Sequence, residues 1–317
     1  MRAFQKYIGA RDWHGPTDQP GKDAGDTAMT DNRPEPERFL LVFAHPDDES
    51  FGQATTLAML DDLGVPATLV SATRGEAGRI SDPHLATPEN LGPIRERELR
   101  QAMAIVGVED IRFLGYRDSG MDGTPENDDP RALTQAPEAE LVAHLIGHIR
   151  DVRPTTVLTF GPDGVYGHPD HVRVHYATVA AVAQAADGAV LPSLGEAWRI
   201  DAIFYAAAPR ERMLKWHMNP DSPFSKLPLE AVERMGTPSA EITHWFDARP
   251  YTERKRAVLS CHRTQVGLNG PMADWPPEMA EGFFRGEQLR RVPLPWDGET
   301  RPQGVLDHRA RSHPYAP

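Results

Sequence analysis

The chain has 317 residues, 39% of them hydrophobic and 25% charged, which suits one large α/β domain and excludes disorder along the whole length. A formal charge of −12 argues against nucleic acid, whose phosphates need a basic face that acidic chains rarely offer, so no nucleic-acid partner is expected. A single cysteine, Cys261, rules out an intramolecular disulfide and a thiolate-rich metal site, and it fits a reducing cytoplasm.

Residues 1–37 are polar and dotted with Gly, Pro and Asp; they lack the apolar core of a secretory signal and are expected to form a flexible leader. No stretch of about 20 apolar residues occurs, so no membrane span is expected. Order is predicted from Phe39-Leu-Leu-Val-Phe-Ala44, a continuous apolar run typical of a strand buried on both faces of a parallel sheet. Helical spacing follows over Glu49–Leu63, closed by Gly64. The alternation then repeats: strand Val65–Ala72, helix Ile94–Val106, strand Ile111–Leu114, helix Glu138–Val152, strand Thr155–Phe160, helix His171–Ala186 and strand Arg199–Ala206. This predicts an α/β fold, a doubly wound and mostly parallel sheet with helices on both faces. Weaker signals give a strand at Ile242–Phe246 and a helix at Tyr251–Cys261. The expected organisation is a catalytic domain over 38–265, with an insert at about 207–241, and a Pro-rich C-terminal extension over 266–317. Two connections, 73–93 and 115–137, are long and follow strands, where open α/β sheets bind ligands.

Two segments carry the chemistry: Ala44-His-Pro-Asp-Asp-Glu49 after the first strand and Tyr166-Gly-His-Pro-Asp-His171 after the fourth. Each sets two candidate ligands three residues apart around a proline, His45 with Asp48 and His168 with His171. In a strand, residues at that spacing point to opposite faces, so they converge only if the chain turns into a helix there. Pro46 and Pro169 suit such a first helical turn. A hydrolytic zinc site takes three His, Asp or Glu ligands and keeps one position open. His45, Asp48 and His171 fill that shell with one Zn2+ per chain, and the same shell accepts Fe2+. Asp47 is then placed to take a proton from water, His168 to donate to the leaving amine or steady the oxyanion, and Tyr166 to offer a second oxyanion donor. Asp170 is expected to orient an imidazole. A nucleotide-binding protein, the alternative from another class, is disfavoured because that first turn carries carboxylates where a dinucleotide needs Gly-x-Gly-x-x-Gly.

Other polar residues have plainer explanations. His175 is expected to pack inside its helix, and His144 and His148 have no third ligand nearby. Glu49 suits the start of a helix and, equally, a hydrogen bond beside the metal. Arg74 and Arg79 suit an anionic substrate group or plain surface charge. Cys261 and His262 are adjacent and diverge by about 100° on a helix, so they make no nucleophilic pair; His262 is expected to be structural.

At the two His-Pro-Asp motifs the chain resembles the PIG-L/LmbE-like family of zinc-dependent N-deacetylases, over roughly residues 38–265. The resemblance implies a Rossmann-like fold and removal of the N-acetyl group from a glucosamine-type sugar conjugate. It implies zinc at His45, Asp48 and His171, Asp47 as general base, and His168 and Tyr166 around the oxyanion. Gly75-Glu-Ala-Gly78 is similar to the family's Gly-Glu loop, and Cys261-His-Arg-Thr-Gln265 resembles a His-x-x-Gln stretch near its C-terminal end. Arg117-Asp-Ser-Gly-Met121 is similar to a stretch of the mycothiol-pathway members, which implies that Asp118 holds a sugar hydroxyl and Met121 lines the pocket. With Arg74 and Glu76 these form the expected substrate-binding set. The expected partner is a small acylated amino sugar, with a homo-oligomer left open. Cleavage of a thiol conjugate or another acyl-amine is the alternative within the same chemistry.

Overall fold

The apolar run that opens the ordered sequence forms β1 (Phe39–Phe43), every residue of which is buried. In this computed structural model, residues 36–267, 270, 272–298 and 302–311 are described; the leader expected at 1–37 lies outside them apart from its last two residues. β2 (Ala67–Thr73) and β3 (Asp110–Tyr116) continue the sheet on one side of β1, and β4 (Thr156–Phe160) and β5 (Ala202–Ala207) on the other, all parallel. The longer helices are α1 (Asp48–Asp62), α2 (Leu91–Ile105), α3 (Glu138–Val152), α4 (Pro169–Ala185), α5 (Arg210–His217), α6 (Thr252–Cys261) and α7 (Pro277–Arg285). α1 and α2 cross in one direction along the sheet and α4 in the other, and right-handed crossovers of that kind cover opposite faces. α3 coincides with the expected helix because Leu141, Val142, Leu145, Ile146 and Ile149 make one buried stripe at helical spacing.

The C-terminal end departs from expectation. Residues expected only as a Pro-rich extension form β7 (Gly286–Val292), antiparallel to β5 on one side and to β6 (His244–Asp247) on the other. The sheet order is thus β3-β2-β1-β4-β5-β7-β6. β7 shows no apolar alternation, because apart from Leu289 its buried side chains are polar and held by polar partners. Glu287 accepts the Thr55 and Thr56 amides at 2.9 Å, and Arg291 lies 2.7 Å from Asp307. The insert carries α5 and is tied to the rest by Gly236, whose N–H donates to Val165 O at 3.0 Å. Among the described residues no helix is long and apolar enough to cross a membrane.

β1 and β4 are neighbours at the point where strand order reverses. Their carboxyl ends therefore open into one crevice, the usual ligand position in such sheets.

Candidate active site

The first motif leaves β1 and enters α1 through Asp47, the N-cap residue, whose φ is 125° and ψ −23°. Pro46 thus precedes the helix, whereas Pro169 occupies its first turn; the expected symmetry holds only for the second motif. A positive φ of this kind in a non-glycine residue costs on the order of 1–3 kcal/mol. An N-cap aspartate ordinarily bonds to its own helix amides, but Asp47 makes no such bond. Its Oδ2 instead lies 3.2 Å from Arg95 Nη2.

The second motif is built differently. His168 is the N-cap of α4, and its Nδ1 accepts the Asp170 N–H at 3.2 Å. Asp170 is fully buried, and its Oδ2 accepts from Ser119 N at 3.0 Å and His45 Nε2 at 3.1 Å. His171 lies flat on Phe160 of β4, ring centroids 4.0 Å apart. Its Nδ1 donates to Gly164 O at 3.1 Å. Gly164 has φ +60°, and a Cβ there would sit 2.9 Å from His171 Cβ, so the turn requires glycine.

These bonds settle which nitrogens are free. His45 uses Nε2–H on Asp170, with Asp118 Oδ1 3.3 Å away, and His171 uses Nδ1–H on a carbonyl. With both imidazoles neutral, as metal binding requires, His45 Nδ1 and His171 Nε2 are the nitrogens left to offer lone pairs, 3.2 Å apart. Asp48 closes the triangle: Oδ1 is 3.2 Å from His171 Nε2 and Oδ2 is 3.5 Å from His45 Nδ1. A tetrahedral cation with bonds of about 2.0–2.1 Å spaces its ligands about 3.3–3.4 Å apart, close to these separations, with Asp48 turning a different carboxylate oxygen to each imidazole. His45 with His168 and His171, and His45 with Asp118 and Asp170, are two other groups whose donor atoms lie within 4.8 Å of one another. In the latter group the carboxylates already take the Nε2 proton of His45.

Charge points the same way. Burial alone would strip the proton from His45, but Asp118, Asp170 and Asp48 outweigh it and hold the imidazole well above its usual range. Against its own burial, Asp48 is held well below the carboxylate range by His171 and His45. The cluster thus calls for a positive charge between these groups. Burial pushes Asp47 up to about 6, against the pull of Arg95. Burial, with His45 and His171 beside it, pushes His168 down to about 4, so its imidazole is neutral at pH 7. With Nδ1 accepting a hydrogen bond, the His168 proton sits on Nε2.

Of the expected site residues, the structure brings His45, Asp47, Asp48, Asp118, His168, Asp170 and His171 together. Tyr166 stands beside them, its ring centroid 5.0 Å from that of His171 and the residue 44% exposed. Asp118, expected to hold a sugar hydroxyl, is buried under His45 and also accepts from Ala77 N at 3.2 Å and Gly120 N at 2.9 Å. Glu76 meets the same loop from the other side, accepting Asp118 N at 3.2 Å. Met121 is exposed on that loop. Arg74 is not brought in: its Nε is 2.7 Å from Glu96 on the outer surface. His175 packs inward, bonded to Phe160 O at 2.8 Å.

Arg95 had no sequence signal of its own. It is buried, donating to Gly75 O at 2.9 Å and Pro46 O at 2.6 Å. The traces are Gly75, with φ +68°, and Gly78, at each of which a Cβ would overlap the Arg95 guanidinium. Ser119 was missed too; it is buried, and its amide steadies Asp170.

Known proteins resemble this chain at both levels. A family model described as PIG-L, GlcNAc-PI de-N-acetylase, matches residues 40–182, a span that holds every residue of the cluster. A 1D-myo-inositol 2-acetamido-2-deoxy-alpha-D-glucopyranoside deacetylase of Geodermatophilus obscurus is 39% identical over 269 residues, 80% of this chain and 92% of the relative. The protein of that name from Thermobifida fusca is 42% identical over 250 residues, 74% of this chain and 85% of the relative. Among solved structures, N,N'-diacetylchitobiose deacetylase from Pyrococcus horikoshii matches the fold with a TM-score of 0.56 at 20% identity, over 81% of this chain and 84% of that one.

Proposed function

Because the chain belongs to the PIG-L family, we propose that it is a zinc-dependent N-deacetylase acting on a 2-acetamido-2-deoxyglucoside joined to a polyol such as inositol. The observation that carries the chemistry is the pair of facing lone pairs on His45 and His171, closed by Asp48, with an uncapped Asp47 beside them. The substrate class is supported by the extended identity to glucosaminyl-inositol deacetylases.

A Zn2+ held by His45, Asp48 and His171 would acidify water and polarise an amide carbonyl. Asp47 takes the proton of the attacking water, and Arg95 keeps its carboxylate from turning toward the helix. His168, neutral and protonated at Nε2, offers that proton to the oxyanion or the departing amine. Tyr166, at the open side of the cluster, faces the same developing charge. Asp170 fixes the ring of His45 and thereby which nitrogen meets the metal.

The test offers chelated enzyme an N-acetylglucosaminyl-inositol, simple N-acetylglucosaminides and acylated thiol conjugates, with Zn2+ or Fe2+ added back. Acetate release from the inositol conjugate on adding Zn2+ is expected. Turnover of thiol conjugates alone would overturn the substrate, and full activity without any metal would overturn the chemistry.

A further inference from the structure

Behind Asp47 lies a buried polar chain that this chemistry does not use. Glu49, Ser50 and His262 are each at most 1% exposed. Glu49 Oε2 accepts the Asp47 backbone N–H at 3.2 Å, and its Oε1 accepts the Ser50 hydroxyl at 2.5 Å. A hydroxyl has a single proton, so the contact of Ser50 Oγ with His262 Nε2 at 2.8 Å makes the imidazole the donor. His262 Nε2 also lies 3.3 Å from Glu49 Oε1. The other ring nitrogen, Nδ1, is buried without a hydrogen-bond partner, which suits a bare lone pair better than an N–H. Donation therefore runs from His262 through Ser50 to Glu49, leaving the carboxylate to hold the Asp47 amide.

The far end of this chain is well anchored. His262 follows α6, 212 positions from Ser50. The same turn gives Thr264 N and Oγ1 to Glu98 of α2 at 2.9 and 2.6 Å, and its Arg263 carbonyl accepts from Ser81 at 2.9 Å. On the opposite side, Arg95 grips Pro46 O. Pro46 O and Asp47 N belong to one peptide plane, and that plane is thus held at both edges. Its orientation sets φ of Asp47. A released plane would let Asp47 relax to the extended N-cap conformation, where its carboxylate bonds to its own helix.

We propose that His262, Ser50 and Glu49 are positioning residues that pin the Pro46–Asp47 peptide and so aim the Asp47 carboxylate into the site. This rests on the general-base role given to Asp47 above. His262→Leu and Ser50→Ala should lower kcat about 10- to 100-fold, with KM and metal content unchanged. His262→Gln, whose amide nitrogen reaches the Nε2 position, should recover most of the loss. In an Asp47→Ala background His262→Leu should cost nothing more, because both act through one carboxylate. Independently of turnover, hydrogen exchange at the Asp47 amide should quicken about 10-fold or more in His262→Leu while Leu41 in β1 stays protected. Unchanged Asp47 exchange, or a full further loss in the Asp47→Ala background, overturns the proposal. If wild-type protein cleaves no acetylated sugar, the functional reading fails, and the exchange measurement still decides the positioning.

Discussion

His45-Pro46-Asp47 and His168-Pro169-Asp170 are one tripeptide used twice, each leading into a helix, but α1 starts after its aspartate and α4 at its proline. In the first copy the aspartate is the N-cap, at positive φ, with its side chain free of the helix and turned to Arg95. In the second the histidine is the N-cap, and the aspartate falls into the first turn, fully buried against His45 and Ser119. In the proposed mechanism, helix register, more than residue identity, decides which carboxylate takes a proton and which supports an imidazole.

Removing each aspartate in turn is the strongest way to break this contrast. Asp47→Ala should lose about 10²- to 10⁴-fold in kcat while keeping its metal, as read by acetate release and metal analysis. Asp170→Ala should instead weaken metal affinity about 10- to 100-fold, and excess metal should restore much of its activity. If the two variants behave alike, the division of labour is wrong.

A smaller effect separates His175 from His171, one turn earlier on α4. Burial pushes His175 down to about 4, against the hydrogen bond to Phe160 O. The folded protein thus resists a proton that the unfolded chain takes up near its usual pKa of about 6.5. Stability from this group is complete above about 6.5 and is lost as pH falls toward 4, amounting to about 2 kcal/mol by pH 5. Denaturant titrations of His175→Gln should show that much less loss between pH 7 and pH 5 than wild type. An equal loss would mean His175 is not the titrating group.

The parallel half of the fold was legible because β1 is apolar throughout, α3 carries a buried stripe, and strand and helix patterns alternate between them. β7 was not, since Glu287, Gln288 and Arg291 are buried through polar bonds that leave no hydrophobic pattern. At the site, the spacing of the two motifs anticipated that His45, Asp48 and His171 would meet, as their 3.2–3.5 Å separations show. Arg95 and the Glu49–Ser50–His262 chain did not, because each depends on contacts between residues far apart in sequence. Asp118 was assigned toward substrate, yet the fold places it under His45, where burial and an imidazole meet.

The most direct measurement is calorimetric titration of Zn2+ into chelated wild-type, His171→Ala and His168→Ala proteins. Wild type and His168→Ala should each bind one ion per chain with similar affinity, and His171→Ala should lose the tight site. Loss of the ion in His168→Ala with retention in His171→Ala would contradict the triangle of His45, Asp48 and His171 and move the metal to another set of donors.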